Sequence, residues 1–120
     1  ENAAKTLVAN NCIAVGEGAN MPSTLEAIHV FEEAGVLFAP AKAANAGGVA
    51  TSGLEMSQNS IRMQWRFSEV DSRLRGIMHR IYKSANEAAA EFGSPGNLVV
   101  GANAAGFIRV ADAMIDQGLV

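Results

Sequence analysis

The chain has 120 residues, of which 49% are hydrophobic and 18% are charged, and its net charge is −3. These values suit one globular unit of ordinary density. No basic run of five or more residues occurs, and the apolar stretches are predicted to be too short to span a bilayer. We therefore expect neither nucleic acid nor a membrane as a partner. The single Cys12 and the lack of a signal-peptide pattern predict a cytoplasmic protein.

The first third of the chain has the pattern of a strand, a helix and a second strand. Residues 12–15 and 36–39 are continuous apolar runs of strand length. Between them, apolar residues recur at helical spacing until Gly35: Leu25, Ile28, Phe31 and Ala34. Such a βαβ unit makes parallel strands, and continuous apolar strands predict burial on both faces.

The remainder of the chain is predicted to be helical. One helix is predicted over residues 48–65, and Ser68 is a plausible N-cap for the next. An apolar stripe over residues 70–92 predicts a long amphipathic helix, and a final helix is predicted to end at Gly118. The small residues of 101–106 suit close helix packing better than a phosphate turn, because no strand precedes them.

Two strands cannot form a stable sheet alone. We therefore expect further strands from upstream sequence or from another chain. The start at Glu1, without an initiator methionine, favours a piece of a longer protein.

Two asparagines follow the predicted strands, at the edge of an α/β sheet where ligands collect. They are Asn20, in "EGANMP", and Asn45, in "AANAGG". A neutral amide offers both donors and an acceptor, which suits a carboxamide or a ribose hydroxyl. The alternative is that each asparagine only caps or turns the backbone.

Gly47 and Gly48 precede a helix that contains Ser52. A helix start favours an anion, and a hydroxyl at Ser52, in or near the first turn, could complete a carboxylate site. The alternatives are a solvent-facing or backbone-bonded serine and glycines that merely allow tight packing.

Other polar residues are weaker candidates, predicted to lie at the surface or to lack a catalytic partner: His29, His79, Lys42, Glu17 and Glu55. No cysteine and histidine cluster has metal-ligand spacing.

Four blocks of sequence together identify a family. They are "EGANMPSTLEA", "APAKAANAGGVATSGLEMSQNS", "VDSRLRGIMHRIY" and "GANAAGFIRVADAMIDQGLV". In order and nearly throughout, they resemble the C-terminal part of hexameric bacterial and fungal glutamate dehydrogenases. The resemblance implies interconversion of L-glutamate with 2-oxoglutarate and ammonia, with NADP as the coenzyme and NAD as a possibility.

The resemblance also implies an α/β fold, part of a Rossmann-like dinucleotide-binding domain with two parallel strands, followed by C-terminal helices. The coenzyme domain would end near residue 47, and the hinge and helices would occupy about residues 48–120. In the family pattern Asn20 and Asn45 lie beside the nicotinamide and its ribose, while Val49 and Ser52 line the substrate pocket. The catalytic lysine and aspartate and the phosphate turn of the family lie upstream, so this chain would hold no catalytic residue and would be inactive alone.

Two other classes of function remain open from the residues alone. One is a non-catalytic module that binds a nucleotide or a dicarboxylate. The other is a structural unit that self-associates through open strand edges and the stripe over residues 70–92.

Overall fold

A computed structural model describes residues 1–118, so the last two residues of the fourth sequence block lie outside the described part. The described elements, in chain order, are α1 (Asn2–Ala9), β1 (Ala14–Gly16), α2 (Leu25–Glu33), β2 (Leu37–Ala39), α3 (Ala41–Ala44), α4 (Ala46–Ser60), α5 (Phe67–Glu91) and α6 (Leu98–Gln117). This order confirms the predicted α/β class, with two strands followed by helices.

The two strands pair in parallel, as the crossover predicted, with Val15 opposite Phe38. The core lies where α1 and α2 cover the sheet, and there Phe31 of α2 stacks on Phe38 with ring centroids 5.8 Å apart. The prediction that both faces are buried is wrong for this chain. Ile13 is 84% exposed and Leu37 is 58% exposed, because the helices within residues 1–118 leave those side chains uncovered.

Helix α2, the crossover between the strands, has clear end signals. The hydroxyl of Thr24 accepts a hydrogen bond from the Ala27 N–H at 3.3 Å, and this N-cap satisfies one free backbone donor. Glu26 lies in the first turn, and the pKa of its carboxyl is lowered below the ordinary value. The main cause is a hydrogen bond from its own backbone N–H, followed by one from the Thr24 hydroxyl. Gly35 follows the helix with a φ of 69°, a conformation that glycine adopts without strain.

Helix α4 begins two residues earlier and ends five residues sooner than the predicted range 48–65. It stops at Ser60, and Arg62 has a left-handed φ of 56°, which no α-helix can continue. Trp65 therefore lies in the connection to α5, where its backbone N–H donates to Gln58 Oε1 at 2.7 Å. Its ring stacks on the guanidinium of Arg73, whose carbon lies 4.3 Å from the ring centroid.

Helices α5 and α6 pack closely against each other and form a layer beside the sheet and its covering helices α1 and α2. The N-terminus of α5 is held by the Glu69 carboxylate, which accepts the Arg66 N–H at 2.9 Å, so the prediction of Ser68 as N-cap is wrong. At the crossing, Gly101 of α6 faces the backbone of α5, and a Cβ built on Gly101 would lie 1.9 Å from the Ala85 carbonyl oxygen. The predicted role of this small-residue stretch in close packing is confirmed at Gly101.

Helix α6 carries a broad apolar face that residues 1–118 do not cover. Its exposed apolar side chains are Phe107, Val110, Met114 and Ile115. By length and composition alone this helix could cross a membrane, since it has 20 residues and an 18-residue stretch within it has a mean hydropathy of 1.5. The expectation that no apolar stretch is long enough to span a bilayer is therefore wrong for α6.

Candidate functional site

The side chains of Asn20 and Asn45 meet beyond the carboxyl ends of the two strands. Asn20 lies in the loop after β1, and Asn45 follows α3, which begins directly after β2. Asn45 Nδ2 donates to Asn20 Oδ1 at 2.7 Å and to the carbonyl oxygen of Ala19 at 3.1 Å. The alternative named above is that each asparagine only caps or turns the backbone, and the Asn45 side chain makes no cap hydrogen bond to α4.

This hydrogen-bond pattern fixes what the pair can offer to a ligand. A carbonyl oxygen only accepts, so the Asn45 atom that faces Ala19 must be the amide nitrogen. That assignment leaves Asn45 Oδ1 as an acceptor and Asn20 Nδ2 as a donor, and neither has a partner within residues 1–118. The pair therefore keeps one acceptor and one donor available for a ligand.

A cavity of about 740 Å³ opens beside the two amides. Its lining is mainly apolar, with polar atoms at few positions, which is the usual composition of a small-molecule site. The polar lining of the cavity includes Glu17, Asn20, Lys42, Asn45 and Asn103. The carboxyl ends of β1 and β2 lead into this cavity, as expected for a ligand site of an open α/β sheet.

Val49 and Ser52 do not line this cavity in residues 1–118. Both lie on α4 and both are exposed, Val49 by 78%. The Ser52 hydroxyl donates to the Gly48 carbonyl at 3.3 Å, which is the backbone-bonded alternative named above. Because α4 begins at Ala46, Ser52 lies in the second turn, beyond the helix start that would favour an anion.

Glu17 is a site residue whose importance sequence reasoning missed. The sequence shows no partner for acid–base chemistry, yet Glu17 is only 5% exposed. Its Oε1 accepts the Ser23 N–H at 3.1 Å and its Oε2 accepts the Ala41 N–H at 2.8 Å. A charged residue placed directly after a strand, between two glycines, is the sequence signal that could have drawn attention to it.

The remaining candidates behave largely as surface residues. Lys42 is exposed, and its ammonium donates to Asn103 Oδ1, a contact that joins α3 to α6. His79 is exposed, and His29 is also exposed, with Nδ1 3.6 Å from a carboxylate oxygen of Glu32. Over residues 1–118 there is no group of three potential metal ligands.

Comparison with known proteins agrees with the sequence resemblance. A profile of the Glutamate/Leucine/Phenylalanine/Valine dehydrogenase family matches residues 1–118. The chain is 59% identical over 106 residues to an NADP-specific glutamate dehydrogenase of Giardia intestinalis, covering 88% of this chain and 24% of that protein. It is 57% identical over 119 residues to the NADP-specific glutamate dehydrogenase of Escherichia coli, covering 99% of this chain and 26% of that protein.

A solved structure is also similar to this chain. The crystal structure of Plasmodium falciparum glutamate dehydrogenase matches it with a TM-score of 0.94 and 48% identity, over 99% of this chain and 26% of that one. The chain thus spans about a quarter of the length of these relatives. Because the family profile covers nearly all of its residues, the chain belongs to the glutamate, leucine, phenylalanine and valine dehydrogenase family.

Proposed function

We propose that this chain is the C-terminal part of a glutamate dehydrogenase, which interconverts L-glutamate with 2-oxoglutarate and ammonia using NADP(H). The observation that carries the proposal is the identity of 57% to 59% with two NADP-specific glutamate dehydrogenases along most of the chain. One similar protein is named NAD(P)-specific, so use of NAD is part of the same proposal.

The amide pair is the part of the site that fits the coenzyme. A nicotinamide carboxamide has an N–H₂ donor and a carbonyl acceptor, and a ribose has hydroxyls that both donate and accept. The free Oδ1 of Asn45 and the free Nδ2 of Asn20 are complementary to such groups. We assign these two residues to the nicotinamide end of NADP(H), which supplies the hydride exchange when bound.

The substrate is assigned to Val49 and Ser52 on α4. Both side chains are exposed in this chain and are free to face a pocket completed by other parts of the polypeptide. By rotating its proton away from the Gly48 carbonyl, the Ser52 hydroxyl can donate to the side-chain carboxylate of glutamate, whereas an apolar residue at that position would leave the carboxylate unpaired. We therefore assign glutamate specificity to the hydroxyl of Ser52, and wall contacts to Val49.

No catalytic residue is assigned to this chain. From the family resemblance we expect the catalytic lysine and aspartate, and the turn that holds the coenzyme phosphates, to lie upstream of the matched region. Within this chain we propose a division near residue 47, where α3 ends and α4 begins. The part before it belongs to a Rossmann-like coenzyme domain, and the part after it forms the hinge and the closing helices.

The exposed apolar face of α6 fits a place inside a larger assembly. In the full-length protein we propose that other parts of the polypeptide cover this face, and that the protein is a cytoplasmic homohexamer without a membrane or nucleic-acid partner. For the isolated chain, the same face and the open strand edges favour self-association. Light scattering of the isolated chain over a range of concentrations would measure it.

The decisive test of the substrate assignment is Ser52→Val in the full-length protein. The change removes one hydroxyl and should reduce kcat/KM for glutamate by at least a hundredfold, because a buried carboxylate would lose its partner. Coenzyme binding, followed by NADPH fluorescence, should stay within about twofold of wild type.

Ser57→Val is the matched control, since Ser57 lies on the same helix and is also exposed. Its hydroxyl donates to the Gly53 carbonyl at 2.9 Å, which repeats the bond from Ser52 to Gly48. The control should retain wild-type turnover. If the Ser52→Val protein turns over glutamate as fast as the wild type, Ser52 is not part of the substrate site. If the wild-type protein shows no glutamate-dependent reduction of NADP, the proposed function is wrong.

A further inference from the structure

Glu17 is the one buried charged side chain in the described residues 1–118, with 5% of its surface exposed. A buried carboxylate is costly unless hydrogen bonds satisfy it. Here each oxygen accepts a backbone N–H, from Ser23 at 3.1 Å and from Ala41 at 2.8 Å. The carboxylate is therefore engaged with the protein itself.

The two backbone partners belong to the two segments that carry the amide pair. Ser23 closes the loop that contains Asn20 and lies one residue before the N-cap of α2. Ala41 is the first residue of α3, and its carbonyl accepts the N–H of Asn45 at 2.9 Å, one helical turn later. The Glu17 carboxylate thus joins the base of the Asn20 loop to the start of the helix that leads to Asn45.

The backbone of Glu17 is itself held against the sheet. Its N–H donates to the Ala39 carbonyl at 3.1 Å, which continues the pairing of β1 with β2 by one residue. In contrast, residues 18–22 are exposed, and Met21 has a left-handed φ of 48°. The hydrogen bonds that reach this loop within residues 1–118 come from the side chain of Asn45. Glu17 is consequently the link between a fixed sheet edge and an otherwise lightly held loop.

We propose that Glu17 is a positioning residue that sets the separation and orientation of Asn20 and Asn45, and so shapes the face that they offer to the nicotinamide. The assignment of that ligand rests on the proposed function. A role in proton transfer is disfavoured because both carboxylate oxygens already accept backbone donors within a buried site. The effect of Glu17 is therefore exerted through the two asparagines.

The test uses Glu17→Gln in the full-length protein, because glutamine keeps the side-chain shape. An amide can accept through only one atom, so its N–H₂ group would face one of the two backbone N–H donors. The KM for NADPH should rise about tenfold, while the KM for 2-oxoglutarate should stay within about twofold. Glu17→Asp retains the charge on a shorter side chain, so its KM for NADPH should lie between those of the wild type and Glu17→Gln.

Hydrogen exchange provides the second measurement. In Glu17→Gln, peptides that cover residues 17–24 and 40–45 should exchange faster, while peptides of α5 should exchange at the wild-type rate. Glu33→Gln is the matched control, because Glu33 is exposed at the end of α2 and the substitution makes the same chemical change. It should leave the coenzyme KM and the exchange of both segments unchanged.

The possible results separate this proposal from the simpler ones. An unchanged coenzyme KM with a lowered unfolding midpoint would make Glu17 merely structural, and a large fall in kcat without any change in KM or exchange would make it catalytic. Either result overturns the proposal. If the wild-type protein does not turn over glutamate, the proposed function fails, and hydrogen exchange of Glu17→Gln then decides the role of Glu17. Faster exchange at residues 17–24 and 40–45 retains the positioning role, and unchanged exchange removes it.

Discussion

Replacing Gly101 with alanine is expected to disrupt the packing of α6 on α5. The added Cβ would lie 1.9 Å from the carbonyl oxygen of Ala85 and 2.8 Å from its carbonyl carbon. Both are backbone atoms inside a 25-residue helix, so no side-chain rotation can make room. Ala89 adds a third obstacle, because its Cβ would lie 3.0 Å away.

The size of the effect follows from the displacement that the new methyl group requires. An ordinary contact of a Cβ begins near 3.4 Å, so the helices must move apart locally by the difference from 1.9 Å, about 1.5 Å. Overpacking a core costs about 1–3 kcal/mol. A shift that also loosens the buried Ala85 and Ala89 belongs at the upper end of that range. The better helix propensity of alanine returns about 1 kcal/mol, so we expect a net loss of about 2 kcal/mol.

Gly106 offers a control in the same helix. A Cβ added there meets no atom within 4 Å in the described chain, so Gly106→Ala should change stability only through helix propensity, a gain of up to about 1 kcal/mol. Urea unfolding of the two full-length variants, compared with wild type, measures both effects. A Gly101→Ala midpoint equal to or above that of Gly106→Ala would refute the close approach of the helices. Loss of soluble protein for Gly101→Ala alone would agree with it.

Two further substitutions test local hydrogen bonds. Asn97→Ala should lower stability by about 1–2 kcal/mol in urea unfolding, because Asn97 Oδ1 accepts the N–H groups of Val99 and Val100, both at 3.0 Å, and so caps α6. Asn97→Ser keeps a capping oxygen and should lose less stability. Equal losses in the two variants would contradict the cap. Asn45→Asp should weaken NADPH binding about tenfold by fluorescence titration, because a carboxylate cannot donate to Asn20 Oδ1; unchanged affinity would separate the amide pair from the coenzyme.

The sequence predicted the order and type of most elements because local signals are strong there. The apolar runs around residues 12–15 and 36–39, separated by a helical stripe, correspond to β1, α2 and β2. The stripe over residues 70–92 became α5, whose end is marked by Gly93 with a φ of 74°. Periodicity of apolar residues and glycine at a helix end are both properties of a short stretch of chain, so they can be read without knowing the fold.

Boundaries were less predictable where several neighbouring residues could begin or end the helix. The pattern of α4 continues to Trp65, but the helix ends at Ser60 because the chain turns at Arg62 and Gln58 accepts the Trp65 N–H. The sequence predicts Ser68 as the N-cap of α5, whereas the N-cap is Arg66, whose backbone N–H donates to the Glu69 carboxylate. Several residues in each region could cap a helix, and the backbone conformation determines which of them reaches the free N–H and C=O groups.

The sequence by itself determined that Asn20 and Asn45 follow two parallel strands, and therefore that they share one edge of the sheet. Only the tertiary structure decided that their amides bond to each other at 2.7 Å, and that the Glu17 carboxylate, 24 residues from Ala41, holds the two segments together. It also decided that Gly101 is required for close packing while Gly106 is not. The physical reason is that element type depends on neighbours along the chain, whereas a hydrogen bond or a helix crossing depends on atoms that only folding brings within contact distance.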